Sequence, residues 1–166
     1  SAFMYGQDNI DLTYADALAK NDKFKNSSFK VLVANPPYSV DGFLSTLEPE
    51  SRKTYTLLNT IDSKAIQTNN SIECFFIERA KQLLEPNGVG AIILPSSILS
   101  KLNSTYQNTR SILLKYFSIV AIAAFGSETF GQTGQPTVTL FLKRREENPE
   151  KAKHYKNRIN SWFTID

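Results

Sequence analysis

The chain is short of the residues on which side-chain chemistry is most often built. Its 166 residues include one cysteine and one histidine. A lone Cys74 excludes an internal disulfide framework and a multi-cysteine zinc site. It stands beside Phe75, Phe76 and Ile77 in a predicted helix, the setting of a core thiol rather than a nucleophile. Covalent cysteine chemistry of the cytosine carbon-5 type therefore has no candidate. The lone His154 excludes a histidine metal cluster, and in its charged surroundings it reads as a surface residue. No apolar run approaches a membrane span. Ser1-Ala2-Phe3-Met4 opens no basic-then-apolar leader, so no signal peptide is visible and the expected location is the cytoplasm. Glycine is scarce as well, at seven residues: Gly6, Gly42, Gly88, Gly90, Gly126, Gly131 and Gly134. Charge of one sign is not in large excess. The net charge of +3 permits nucleic-acid binding without requiring it. Basic residues cluster only at Lys143-Arg144-Arg145 and in Lys151, Lys153, Lys156 and Arg158, and Glu146, Glu147 and Glu150 interrupt them. That pattern reads as a solvated helix, with a phosphate-binding stripe as the alternative.

What remains is ordinary for a globular protein, with 41% apolar and 21% charged residues. The length suits one domain or part of one. Ile10 to Tyr14 alternates and predicts a strand. Phe29 to Ala34 is a short apolar run with β-branched residues, the pattern of a buried strand. Residues 39–70 carry weak periodicity and many polar residues, so they read as a long functional or mobile loop with a short helix near Gly42 to Leu47. Helical spacing of Ile72, Phe75, Phe76, Ala80, Leu83 and Leu84 predicts a helix over 71–84, capped by Asn69, Asn70 or Ser71 and ended by Pro86-Asn87-Gly88. A strand over 89–94, a helix over 103–116, a strand over 117–125, a Gly-rich loop over 126–135 and a strand over 136–142 follow. Helices alternating with apolar strands mean α/β with a mostly parallel sheet. The last two strands form an antiparallel hairpin at one edge.

The most informative residues are Asn35-Pro36-Pro37-Tyr38, directly after the first apolar strand. At average residue usage such a tetrapeptide arises by chance in about one chain per thousand of this size. Both prolines have fixed φ and no N–H, and each restricts the residue before it. The corner therefore holds carbonyl oxygens and one carboxamide in fixed directions with few donors nearby. That arrangement accepts hydrogen bonds from an amino group. In open α/β sheets, ligands sit at this end of the strands.

From about Asn9 to Arg145, the motif and its surroundings resemble the adenine-specific amino-DNA methyltransferases of bacterial restriction–modification systems, as type I modification subunits or fused type IIG enzymes. The resemblance implies the C-terminal part of the Rossmann-like methyltransferase fold and S-adenosylmethionine as cofactor. It implies that Asn35 and the carbonyl of Pro36 accept the two hydrogens of adenine's exocyclic amino group, with Pro37 completing the rigid corner. Tyr38 would stack on a base flipped out of double-stranded DNA. Phe130 would pack on the base's other face, with Phe125 in reserve. Asp16, in Tyr14-Ala15-Asp16-Ala17-Leu18, resembles the family's aspartate that contacts the cofactor's adenine, and Asn35 borders the cofactor too. The implied partners are a specificity subunit or a fused target-recognition domain.

The family's glycine-rich cofactor turn and the acidic residue after its second strand have no counterpart ahead of the Pro-Pro corner. The expectation is an internal fragment of a larger enzyme: residues 1–145 a partial catalytic domain, 146–166 the start of the next segment. Such a fragment should be inactive alone and bind the cofactor weakly. The Pro-Pro strand would have an open, apolar edge that invites self-association or docking of another segment. Methyltransferases acting on a release-factor glutamine or on a ribosomal RNA base carry the same tetrapeptide and remain an alternative. A non-catalytic nucleic-acid-binding module is another.

Overall fold

The structure is a computed structural model that describes residues 10–126 and 134–147. Among the described residues four strands form one sheet: β1 (Phe29–Ala34), β2 (Leu84–Pro95), β3 (Phe117–Phe125) and β4 (Thr137–Arg144), in the order β1-β2-β4-β3. β1 pairs parallel to β2, while β4 runs antiparallel to both β2 and β3. Three strands thus share one direction and β4 alone is reversed, which is the expected parallel set with its edge hairpin. The carboxyl ends of β1, β2 and β3 lie along one rim.

The sheet is filled on one face. Ile92, Leu94, Val138, Leu140 and Leu142 are buried there. Against it pack α3 (Ile72–Leu83) and α4 (Ser104–Tyr116). The first of these helices starts where Asn69 Oδ1 accepts from the Ser71 N–H at 3.1 Å. The second is capped by Asn103, whose Oδ1 accepts from the Tyr106 N–H at 3.0 Å. At its other end Arg144 Nη1 and the Arg145 N–H donate to the Tyr116 carbonyl, and Arg145 Nε donates to that of Phe117. These arginines, read from the sequence as a basic cluster, serve carbonyls that a helix end leaves without partners.

Three expectations need correction. Residues 10–14 form no strand, and Leu12 and Tyr14 are exposed. Alternation alone cannot make a strand without a neighbour to pair with. Pro86-Asn87-Gly88, expected to end the helix ahead of a strand over 89–94, lies inside a longer β2 that starts at Leu84. There the register jumps from Phe29↔Leu84 to Val31↔Val89, and the extra residues bulge out. A Cβ at Gly88 would lie 2.9 Å from the Glu85 carbonyl oxygen and 3.0 Å from that of Phe29, so only glycine fits. Finally, residues 39–70 are not an unpacked loop. They contain the short helices α1 (Phe43–Thr46) and α2 (Pro49–Arg52) and two 3-10 turns at Thr56–Thr60 and Ser63–Ala65. Phe43, Leu44, Leu47, Tyr55 and Leu57 from this stretch are buried in the core. One-turn pieces carry too few residues to show a period.

Candidate active site

β1 delivers Asn35-Pro36-Pro37-Tyr38 to the carboxyl rim of the sheet. Asn35 and Pro37 are exposed, Pro36 is buried and Tyr38 is half-buried. The motif closes on itself: the Tyr38 hydroxyl donates to Asn35 Oδ1 at 3.1 Å. A carboxamide oxygen has two lone pairs, so one acceptor position remains beside the tyrosine. Burial, and then the nearby Glu73 carboxylate, raise the Tyr38 phenol above its ordinary value of 10.0. It therefore stays a neutral donor at physiological pH.

Asp16 lies in an exposed turn. Its Oδ1 accepts from the Leu18 N–H at 2.9 Å, and its carbonyl from the Ala19 N–H at 3.1 Å. The local geometry is that of a turn-capping aspartate, with the second carboxylate oxygen available. Phe125 ends β3 on the same rim, half-buried, opposite Thr137. Three strand spacings separate β1 from β3, which puts Phe125 about 14 Å across the sheet from the motif strand. Phe130 lies outside the described residues, as does the tail with His154. Cys74 is fully buried, and burial pushes its thiol up to about 12, as suits a core residue and not a nucleophile.

Three buried charged residues of α3 tie these pieces together. Glu73, Glu78 and Arg79 are buried, the two carboxylates at 1% exposure. Glu73 Oε2 accepts from the Ser39 N–H, next to Tyr38, at 3.2 Å. Glu78 accepts from the Thr56 N–H at 2.8 Å, the Thr56 hydroxyl at 2.6 Å and the Leu57 N–H at 3.0 Å, which anchors the 39–70 stretch. Arg79 donates to the carbonyls of Ala17 and Ala19, which pins the Asp16 turn. The sequence alone did not single out Glu73, Glu78 or Arg79. A signal was present: four charged residues, Glu73, Glu78, Arg79 and Lys81, in a helix whose other positions are mostly apolar.

The architecture, parallel strands with a reversed last strand and a polar corner at the carboxyl rim, defines the class: the Rossmann-like methyltransferases. Solved structures agree. The type I restriction enzyme EcoKI M protein matches at TM-score 0.54 and 15% identity, over 78% of this chain and 23% of that one. The type IIG restriction endonuclease BpuSI matches at 0.54 and 19%, over 81% of this chain and 15% of that one. A modification subunit assigned to a type I restriction enzyme of Vibrio vulnificus YJ016 matches at 0.52 and 17%, over 89% and 33%. At these identities the likeness is one of fold, and the chain spans a third or less of each of these structures. No curated protein matches in sequence. The family model for N-6 DNA methylase matches residues 4–160, and the chain belongs to that family.

Proposed function

We propose that the protein of which these residues are part transfers a methyl group from S-adenosylmethionine to the exocyclic amino group of adenine in DNA, within a restriction–modification system. The observation that carries the reading is Asn35-Pro36-Pro37-Tyr38 at the carboxyl end of β1 in a chain of the N-6 DNA methylase family. The fold likeness to a type I M protein and a type IIG endonuclease supports the restriction–modification setting.

The amino nitrogen of adenine is a weak nucleophile because its lone pair is delocalised into the ring. Asn35 Oδ1 accepts one amino hydrogen and the Pro36 carbonyl the other, which favours a pyramidal nitrogen with its lone pair available. Neither proline offers an N–H to compete for those acceptors. An amino group arriving at Asn35 meets the Tyr38 hydroxyl on the same oxygen. It takes the second lone pair or displaces the hydroxyl as the ring swings to stack on the base. Phe130 closes the other face, with Phe125 as the reserve. Positioning supplies the acceleration, with no covalent enzyme intermediate.

S-adenosylmethionine supplies an electrophilic methyl group on a sulfonium. The described residues fit part of a site for it: Asn35 at the rim, and Asp16 with one carboxylate oxygen available for the cofactor's adenine. No glycine lies between residues 10 and 34, so a glycine-rich turn for the rest of the cofactor is not in that stretch. The partners in this reading are double-stranded DNA with a flipped adenine and a specificity subunit or fused target-recognition domain. The open edge of β1 pairs with another chain or segment.

Calorimetry with S-adenosylmethionine tests the reading on the full-length protein and on the 166-residue chain. Binding by the full-length protein with weak or no binding by the chain is the expected pair of results. Absence of binding by both contradicts the enzyme reading and favours a nucleic-acid-binding module.

A further inference from the structure

Glu73 is a buried carboxylate for which the chemistry above has no use. Its two oxygens go to two different elements. Oε2 accepts from the Ser39 N–H at 3.2 Å, and Oε1 accepts from the Tyr106 phenol of α4. Ser39 sits at φ 51°, in the left-handed region that a residue with a side chain enters only when something holds it there. Pro36 and Pro37 lack N–H groups. The first backbone donors after the asparagine are therefore those of Tyr38 and Ser39, and few other handles exist by which the molecule can grip this corner. Glu73 takes the second of them. Tyr106 is itself buried at 1% exposure, and its phenol is pushed far up by burial first and then by its bond to Glu73, so it remains a donor.

We infer that Glu73 is a positioning residue for methyl transfer. It clamps the Asn-Pro-Pro-Tyr corner through the Ser39 N–H, and Tyr106 fixes the orientation of the clamp. The inference rests on the methyltransferase reading of that corner. The clamp bonds only the residue after the motif and leaves Asn35 Oδ1 and the Pro36 carbonyl to the substrate. It also couples α3 and α4 to the corner, since Glu73 bonds residues from both sides of its own helix in sequence.

Hydrogen exchange followed by mass spectrometry on the full-length protein tests the clamp. A peptide over residues 35–41 reports few amides besides Tyr38 and Ser39, because the prolines have none. In Glu73→Met the exchange of this peptide should rise about tenfold, the loss expected for one hydrogen bond, while the peptide over 72–83 keeps its protection. Glu73→Gln can turn its oxygen to Ser39 and its amide to the Tyr106 oxygen, and should restore most of the protection. On methyl transfer, Glu73→Met should lower kcat about tenfold or more with KM for DNA nearly unchanged, as misplacement of the acceptors predicts. Unchanged exchange over 35–41 in Glu73→Met overturns the clamp. So does equal loss of protection over 72–83, or a Glu73→Gln variant no better than Glu73→Met. A wild-type protein that transfers no methyl group to adenine defeats the functional reading, while the exchange measurement still decides the clamp.

Discussion

At the scale of single residues, Tyr38 has two separable parts. In the proposed reaction its ring stacks on a base, while in the structure its hydroxyl occupies one lone pair of Asn35. Tyr38→Phe keeps the ring and frees the acceptor, so methyl transfer should stay within about threefold of wild type or rise, since no transition-state contact is lost. Tyr38→Ala removes a stacking surface worth about 1–3 kcal/mol per base, and kcat/KM should fall about tenfold or more. Steady-state kinetics on both variants decides the matter: a phenylalanine variant as poor as the alanine one would give the hydroxyl a direct part in the reaction. Asn35, Pro36, Pro37 and Tyr38 were legible in the sequence because the motif is contiguous and its chemistry is local. Glu73 was not. An acidic residue in a first helical turn is sufficiently explained by the helix dipole. What gives Glu73 its part here are contacts to residues 34 and 33 positions away in the chain.

At the scale of elements, α3 acts as a bracket. Its apolar residues Cys74, Phe75, Ile77 and Ala80 lie in the core, while Glu73, Glu78 and Arg79 hold three separate irregular segments by their backbone groups. Periodicity revealed the helix within one residue at each end, and the β3 and α4 boundaries as closely, because long amphipathic or apolar runs dominate their own local structure. Of the 39–70 stretch only the short helix near Gly42 to Leu47, observed as α1, was legible. The rest was opaque for the opposite reason: its one-turn helices are held by α3, not by propensity. Glu78→Ala tests that dependence. It leaves the buried Leu57 N–H without an acceptor, at about 1–3 kcal/mol, and turns the N–H and hydroxyl of the exposed Thr56 to water, so unfolding free energy should drop by about 2–4 kcal/mol. Denaturant titration reads the drop, and limited proteolysis should cut first within 53–62. Unaltered stability would mean that the stretch holds itself in place.

At the scale of the whole molecule, the sheet is finished on one face only among the described residues. Val31 is 63% exposed and Val33 80%, and they share a face with Val89 and Phe141. Strands in parallel sheets are ordinarily covered on both faces. Among the described residues β1 is also an edge strand, with the open edge expected of the Pro-Pro strand. Fold class and the antiparallel edge hairpin of the last two strands were legible from the alternation of helices and strands. The bare face was not, because the same apolar residues read as buried in any strand of this type. No helix among the described residues is long and apolar enough to cross a membrane. The placement of Asn35 at the rim of this sheet, in a chain matched over residues 4–160 by the N-6 DNA methylase model, makes one chemical outcome central. That outcome is read most directly by expressing the full-length protein in a methylation-deficient host, digesting the DNA to nucleosides and quantifying N6-methyladenine by mass spectrometry, beside an Asn35→Ala variant. The account predicts N6-methyladenine with the wild type and a loss of about a hundredfold or more with the variant, since the acceptor that activates the amino group is gone. Equal N6-methyladenine from both proteins, or methylation appearing only on another base or on protein, would contradict it.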